Sequence, residues 1–181
     1  MTEDPSSSGP NLYLVGFMAS GKTTAGHYAA RKLNFQFIDT DQAIEEKFGK
    51  PIAAIFETEG EAAFRVMERE FMESGHPASG CVVSCGGGLV IPPGMAELVA
   101  KKGIAVCLSA TPETILERTR GRKDRPLLNV PDPEARIREL LAERGPRYQA
   151  VGNVLSTDDR TMKEVTAHVL RVYTDACSKR G

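Results

Sequence analysis

The sequence predicts an α/β domain in which helices cover both faces of a parallel β-sheet. Five short apolar runs recur at residues 12–15, 35–38, 81–84, 104–108 and 151–155, and segments with helical spacing separate them. Those segments carry most of the charged residues. Strands that alternate with helices favour parallel pairing through crossover connections. Because ligands of such sheets bind beyond the carboxyl ends of the strands, we expect functional residues directly after the apolar runs.

The composition is that of a single domain without general affinity for polyanions or membranes. The 181 residues suffice for one core, and we place the domain at residues 11–181. The 23 basic and 24 acidic residues nearly balance, which predicts neither nucleic-acid nor membrane binding. Residues 1–10 are polar and rich in Pro, Ser and Gly, so we expect a disordered tail rather than a signal peptide. The four cysteines lack a metal-binding spacing, which indicates reduced thiols in a cytoplasmic protein.

A phosphate-binding motif follows the first apolar run. Residues 16–23 read G-F-M-A-S-G-K-T, the P-loop pattern G-x-x-x-x-G-K-[ST], between a strand and a helical segment at residues 24–33. Gly16 and Gly21 allow the loop to turn its N–H groups towards a phosphate at the positive end of the helix dipole. Lys22 then places a cation against the outer phosphates, and the Thr23 hydroxyl is placed to ligate Mg²⁺. The alternative, a glycine-rich turn with a surface lysine, is disfavoured by the flanking strand and helix.

Two acids follow the second run. Asp39 and Asp41 stand at i and i+2, so their side chains point the same way if the strand continues. One acid suits Mg²⁺, and the other suits a substrate hydroxyl. The alternative is that Asp41 or Thr40 only caps the helix predicted at residues 42–48.

An arginine lies in the helical segment that begins near residue 60. Arg65 shares with Glu61 and Glu68 a different face from the apolar stripe of that helix. Its planar fork can bind a substrate carboxylate, with Glu68 orienting it. On helix geometry alone, the alternative of a solvent-exposed ion pair with Glu61 or Glu68 is favoured.

Three consecutive glycines, at residues 86–88, follow the third run. Either the chain turns sharply there or a ligand touches bare backbone, and the position after a strand favours the ligand. Cys85 adjoins this turn, so we expect its thiol to be more accessible than those of Cys81 and Cys107, which fall within strands.

A basic loop follows the fourth run. Five basic residues fall within residues 118–125, and Gly121 and Pro126 delimit an irregular segment. It is either a solvated loop or a mobile lid, at about residues 119–131, that closes its arginines over nucleotide phosphates. The concentration of positive charge in a net-acidic chain favours the lid.

One arginine falls on the buried stripe of the next helix, which starts near Pro133. A buried Arg144 must find an anion, either the substrate, the transferring phosphate or an acid of the core. We expect Gly145 and Pro146 to interrupt or kink this helix directly afterwards.

Together these motifs resemble those of the shikimate kinase family, from about residue 12 to residue 173. The matching blocks are G-F-M-A-S-G-K-T-T, D-T-D, G-E-A-A-F-R-V-M-E, S-C-G-G-G, R-P-L-L and E-R-G-P-R-Y, in the order and spacing of the family. The resemblance implies a three-layer α/β/α P-loop kinase fold with a five-stranded sheet in the order 2-3-1-4-5 and a mobile lid. It also implies that a monomer transfers the ATP γ-phosphoryl group to the 3-hydroxyl of shikimate, with Mg²⁺ as cofactor.

The same resemblance implies roles for individual residues. It places ATP at Gly16, Ala19, Ser20, Gly21, Lys22, Thr23, Thr24, Arg118, Arg125 and Arg160, with Arg118 near the adenine, and Mg²⁺ at Thr23 and Asp39. It places shikimate at Asp41, Arg65, Glu68, Gly86, Gly87, Gly88 and Arg144, partly within a segment at about residues 40–73. The implied catalytic residues are Lys22, Asp41 and Arg125. This chain departs from the family at Cys85, where threonine is common, and its segment near Arg160 matches loosely.

Three rival interpretations are less consistent with the motifs. A gluconate kinase would share the P-loop and the lid, but the block around Arg65 and the triple glycine favour shikimate. An inactive binding module would have lost Lys22, Asp39, Asp41 or Arg144, and all four are present. A GTPase would carry an N-K-x-D motif, which this sequence lacks.

Overall fold

The computed structural model describes residues 9–121 and 126–179, which fold around a five-stranded parallel sheet. The strands lie in the order β2-β3-β1-β4-β5, and all their pairings are parallel. Their bounds are β1 Asn11–Val15, β2 Gln36–Asp39, β3 Cys81–Ser84, β4 Gly103–Ser109 and β5 Asn153–Ser156. The predicted parallel sheet and its order 2-3-1-4-5 are therefore confirmed.

Helices of the described residues cover both faces of this sheet. They are α1 Lys22–Leu33, α2 Thr40–Phe48, α3 Ile52–Thr58, α4 Gly60–Ser74, α5 Met95–Lys102, α6 Pro112–Thr119, α7 Pro133–Gln149 and α8 Met162–Ser178. Side chains of α1 and α8 form the core on one face, and side chains from α2 to α7 form the core on the other. The three-layer α/β/α arrangement is therefore confirmed.

The central strand β1 shows why the sheet lies in the middle. Leu12 and Leu14 enter the core beneath α1 and α8, whereas Tyr13 and Val15 enter the opposite core. All four are at most 1% exposed. A strand that is buried on both faces must be apolar at successive positions, which is the pattern that the sequence shows.

Several predicted boundaries differ from the structure by one or two residues. β5 begins at Asn153 rather than residue 151, because Gly152 has φ 107° and turns the chain between the buried Val151 and the strand. The predicted interruption of α7 at Gly145 and Pro146 does not occur. Pro146 lies in the last turn of the helix, where its missing N–H removes only one intrahelical hydrogen bond.

The structure describes only part of the expected tail and part of the expected lid. Gly9 and Pro10 belong to the fold rather than to the tail: Gly80 N donates to Gly9 O, and Tyr173 Oη donates to Pro10 O, each at 2.9 Å. Residues 1–8 of the expected tail and residues 122–125 of the expected lid lie outside the described residues. Later in the lid segment, a 3₁₀ turn at Pro126–Leu128 buries Leu128 to 8% exposure. Within the described part of the chain, no helix is long and apolar enough to cross a membrane.

Candidate active site

The loop between β1 and α1 has the backbone that the P-loop motif predicts. Gly16 has φ 139° and Gly21 has φ 95°, both in the region that favours glycine. A Cβ atom at Gly16 would also clash with the carbonyl oxygen of Leu108 on the neighbouring strand. Ala19 adopts the left-handed region as well, with φ 58°. The loop is thus held in a tightly curved conformation by contacts with β4.

Lys22 folds back over this loop. Its Nζ donates to Gly16 O and Phe17 O, each at 2.9 Å, and the residue is 9% exposed. Ser20 Oγ is buried beside Gly16 and has no hydrogen-bond partner among the described residues. A cation and an unused hydroxyl group at one curved loop suit an anionic ligand.

Arg118 ties the loop to the end of β5. Its Nη1 donates to Ala19 O at 3.1 Å and to Thr157 Oγ1 at 3.0 Å, and its Nη2 donates to Thr157 O at 3.1 Å. Thr157 is fully buried and also bonds to the last residue of β4, Ser109. Sequence reasoning missed Thr157, although a threonine directly after the last apolar run lies where ligands of parallel sheets bind.

Asp39, rather than Asp41 or Thr40, caps α2. Asp39 Oδ1 accepts from Asp41 N at 3.1 Å and from Gln42 N at 3.3 Å. The strand does not continue past Asp39, so the condition for the two side chains to point the same way is not met, and the helix begins at Thr40 rather than at the predicted residue 42. The two acids therefore differ in environment, and the cap itself uses only one oxygen of Asp39.

The three glycines after β3 form a turn against which other parts of the site pack. A Cβ atom at Gly86 would clash with Asp41 Oδ1, and one at Gly88 would lie 2.6 Å from both Nη atoms of Arg65. At Gly87 it would lie 3.7 Å from Met18 N, in the phosphate loop. Direct ligand contact was the expected reason for these glycines, and at Gly86 and Gly88 the structure adds a second reason, because the side chains of Asp41 and Arg65 lie where a Cβ atom would be. The turn thus brings a carboxylate, a guanidinium group and the phosphate loop together.

Arg65 is held by two acids of its own helix. Its Nη1 donates to Glu68 Oε2 at 2.7 Å, and its Nη2 donates to Glu61 Oε1 at 2.8 Å. The ion pairs considered as the alternative do form, but the pair with Glu68 is not solvent-exposed, since that side chain is 1% exposed. A buried carboxylate fixes the guanidinium plane of Arg65 while leaving its side chain 22% exposed.

The two carboxyl groups near the turn are unusually basic. Burial, with a contribution from Asp39, raises the pKa of Asp41 from 3.8 to about 6, although Lys22 and Arg65 oppose the shift. Burial raises the pKa of Glu68 from 4.5 to about 7 against the opposing charge of Arg65. At neutral pH Asp41 is therefore mostly ionised, yet it accepts a proton more readily than an ordinary aspartate.

Helix α7 brings a second arginine to the turn. Arg144 Nε is buried without a hydrogen-bond partner, and Arg144 forms no ion pair with a core acid among the described residues. Tyr148, one turn later, is 4% exposed, and its hydroxyl donates to Gly87 O at 2.6 Å. Sequence reasoning missed this bond; the signal was a phenol four residues after an arginine on one stripe of the helix.

The two expected metal ligands, Thr23 and Asp39, are both neighbours of Ser84. Thr23 Oγ1 is 3.4 Å from Ser84 Oγ, and Ser84 is the register partner of Asp39 across β2 and β3. Sequence reasoning missed Ser84 because a serine that ends an apolar run carries no distinct pattern.

Two further residues predicted to bind the nucleotide are exposed to solvent. Arg160 is exposed, and its Nη1 forms a hydrogen bond with His168 Nδ1 on α8 at 3.1 Å. Thr24 is exposed on the first turn of α1. Arg125 lies outside the described residues.

The expectation for Cys85 is wrong. It is 1% exposed, no more accessible than Cys81 at 1% or Cys107 at 3%, and burial raises the pKa of its thiol. The turn that follows Cys85 is covered by Asp41, Arg65 and the phosphate loop, so being next to glycines does not open it to solvent. Among the cysteines Cys177 alone is partly exposed.

The comparisons with known sequences point to one family. The family model for shikimate kinase matches residues 18–174. The shikimate kinase of Caldanaerobacter subterraneus subsp. tengcongensis is 43% identical over 163 residues, which cover 90% of this chain and 95% of that protein. The shikimate kinase of Stenotrophomonas maltophilia is 41% identical over 162 residues, covering 89% of this chain and 90% of that protein.

Solved structures agree with these sequence matches. A gluconokinase from Sinorhizobium meliloti 1021 superposes with a TM-score of 0.64 at 15% identity, which is a likeness of fold alone. Shikimate kinase from Acinetobacter baumannii in complex with shikimate superposes with a TM-score of 0.85 at 36% identity, over 93% of this chain and 94% of that one. The fold, the P-loop and the matches over nine-tenths of its length together place this chain in the shikimate kinase family.

Proposed function

We propose that this chain transfers the γ-phosphoryl group of ATP to the 3-hydroxyl of shikimate, the activity of its family. The observation that carries the proposal is the glycine turn, where Asp41 and Arg65 pack beside the phosphate loop. Shikimate is a small polyhydroxylated acid, so a carboxylate for its hydroxyls and a guanidinium group for its carboxylate suit it.

The phosphate loop would hold ATP through its backbone N–H groups and the first turn of α1. Lys22 is the residue whose Nζ would exchange the carbonyls of Gly16 and Phe17 for phosphate oxygens. The unpartnered Ser20 Oγ supports an anion at this loop. The further nucleotide contacts that we propose are Gly16, Ala19, Gly21, Thr24, Arg118, Arg125 and Arg160.

Thr23 and Asp39 would hold Mg²⁺, directly or through water. Both offer the hard oxygen donors that this ion prefers, and the cap of α2 uses only Oδ1 of Asp39. Bound Mg²⁺ would neutralise charge on the β- and γ-phosphates.

Two arginines would bind the shikimate carboxylate. Glu68 holds Arg65 in a fixed orientation, and Arg144 has a buried Nε that lacks a partner among the described residues. A buried guanidinium N–H that lacks an acceptor favours the binding of an anion. Asp41 would bind the hydroxyls of the ring, which would lie against Gly86, Gly87 and Gly88.

Asp41 is also the proposed proton acceptor. As the 3-hydroxyl oxygen attacks the γ-phosphorus, its proton passes to the Asp41 carboxylate. The bond from the γ-phosphorus to the bridging oxygen breaks, and its electron pair leaves with ADP. Lys22 and Arg125 would stabilise the charge on the transferring group.

Several coarser properties accompany this activity. We propose one domain at residues 11–181, with a substrate-binding segment at about residues 40–73 and a lid at about 119–131 that closes over the nucleotide. We propose a monomeric, cytoplasmic enzyme that binds neither nucleic acid nor membranes. Size-exclusion chromatography with light scattering tests the monomer, and a mass of twice 19.6 kDa would contradict it.

The test of the activity is ADP release with Mg²⁺, ATP and a panel of acceptors. We expect turnover with shikimate and far less with gluconate or nucleoside monophosphates. The Lys22→Ala variant serves as the control for contaminating kinases. Equal rates across the panel, or no rate with shikimate, would refute the substrate assignment.

A further inference from the structure

The Tyr148 hydroxyl occupies a central position in the site, yet the roles proposed above do not include it. The residue is 4% exposed, and its Oη donates to Gly87 O at 2.6 Å. Gly87 stands between Gly86, which adjoins Asp41, and Gly88, which adjoins Arg65. The phenol therefore holds the middle of the turn against which both of these side chains pack.

The second arginine lies on the same helix as this phenol. Arg144 precedes Tyr148 by one helical turn, which places both side chains on one face of α7. Burial raises the pKa of Tyr148, and the charges of Arg144 and, to a smaller extent, of Arg65 partly offset this rise, so the guanidinium group of Arg144 lies near the phenol. A phenol has one proton to donate and lone pairs to accept with, so a single hydroxyl can serve both Gly87 and Arg144.

We propose that Tyr148 is a positioning residue: its hydroxyl donates to Gly87 and accepts from Arg144, and so sets the spacing between Arg144 on α7 and Arg65 beside the turn. The inference rests on the proposed function, in which both arginines bind the carboxylate of one substrate. Two guanidinium groups repel each other, so they converge on one carboxylate only if the protein holds them there. Tyr148 and Glu68 hold one arginine each.

The test compares shikimate with its methyl ester, which lacks the carboxylate charge. The Tyr148→Phe variant removes the hydroxyl and keeps the ring. We expect its preference for shikimate over the ester, as a ratio of kcat/KM values, to fall about tenfold, the effect of one hydrogen bond to a charged group. The KM for ATP should stay within about twofold of wild type, because no nucleotide contact changes.

A matched control exists in Tyr173. It is 6% exposed, and its hydroxyl donates to Pro10 O at 2.9 Å, beyond the amino end of β1. Tyr173→Phe thus removes an equivalent buried phenol hydroxyl far from the turn. We expect a similar fall in Tm and an unchanged preference for shikimate over the ester.

The outcomes separate the inference from the function on which it rests. If Tyr148→Phe keeps the wild-type preference, or loses activity towards acid and ester equally, Tyr148 is a packing residue and the inference is wrong. If the wild type itself fails to prefer the acid, the proposed pair of arginines is wrong as well. Should the phenylalanine variant not fold, Tyr148→Met fills the same space with a flexible apolar side chain and is judged by the same ratio.

Discussion

Adding one methyl group at Gly88 should displace Arg65 and weaken shikimate binding without unfolding the protein. The Cβ atom of Gly88→Ala would lie 2.6 Å from both Nη atoms of Arg65 and 2.9 Å from its Cζ. The guanidinium group must therefore retreat from 2.6 Å to an ordinary contact of about 3.4 Å, a displacement of about 0.8 Å. Because the atoms it meets end a flexible side chain, the displacement falls on the site more than on the core.

The expected size of the effect follows from this displacement. A misplacement of about 1 Å at a binding group can cost on the order of a hundredfold in activity, so we expect the KM for shikimate to rise roughly ten- to hundredfold. The φ angle of Gly88 lies outside the left-handed region, so alanine adds no backbone strain. Local overpacking should change the free energy of unfolding by no more than about 2 kcal/mol.

The assay combines shikimate titration with urea unfolding, and Gly145→Ala is the matched control. Apart from its chain neighbours and the nearby backbone of α7, a Cβ atom at Gly145 would meet nothing within 4 Å. The same substitution there should leave the KM for shikimate unchanged, and its gain in helix propensity of about 0.5–1 kcal/mol is opposed by the restriction that Pro146 places on the residue before it. A folded Gly88→Ala variant that binds shikimate with wild-type affinity would show that Arg65 does not bind the substrate from its observed position.

The remaining predictions concern four other features of the site. Arg65→Lys keeps the charge but loses the planar guanidinium fork. The KM for shikimate should therefore rise about ten- to hundredfold, corresponding to about 1.5–3 kcal/mol, while the KM for ATP barely changes. An unchanged dissociation constant in a shikimate titration would contradict this. Lys22→Ala should lower kcat by about 10³-fold or more in a protein that remains folded by circular dichroism, and a near-wild-type rate would count against its phosphate role. Because the pKa of Asp41 is raised to about 6, kcat/KM should fall as the pH drops below about 6, and a pH–rate profile tests this. The folded state binds the Asp41 proton more tightly than the unfolded state, so this group's contribution to stability should decrease as the pH rises from about 4 to 6. Urea titrations across that range test the sign of the stability change. Thiol reagents should label Cys177 before Cys85, which mass spectrometry of the folded protein can check, and faster labelling at Cys85 would show that the turn opens in solution.

Local sequence patterns were sufficient to predict the sheet and the phosphate loop. Each strand is a short apolar run because both of its faces are buried, and that requirement appears in the residues themselves, as at Leu12 and Tyr13. Gly16 and Gly21 were identifiable for a similar reason, since their positive φ angles restrict the choice of residue. The residues themselves suggested roles for Asp41, Arg65 and Arg144 but left alternatives open, and the resemblance to a family chose among them. The fold then placed Asp41 and Arg65 at one turn.

The predictions that failed concerned contacts between distant segments. The cap on α2 is Asp39 because the helix begins at Thr40, two residues before the start that the sequence predicted, and the exact end of an element has no sharp local signal. Cys85 follows a strand and precedes glycines, yet it is buried because α2, α4 and the phosphate loop close over the turn.

The sequence by itself determined the α/β architecture, the position of the phosphate loop and the residue types available for a small anionic substrate. The tertiary structure alone decided which of these residues meet. Gly86 and Gly88 are glycines because Asp41 and Arg65 lie against them, and Tyr148 contacts Gly87 from 61 residues further along the chain. Such contacts depend on how helices dock against the sheet, and docking is set by the packing of the whole core rather than by any local pattern of residues.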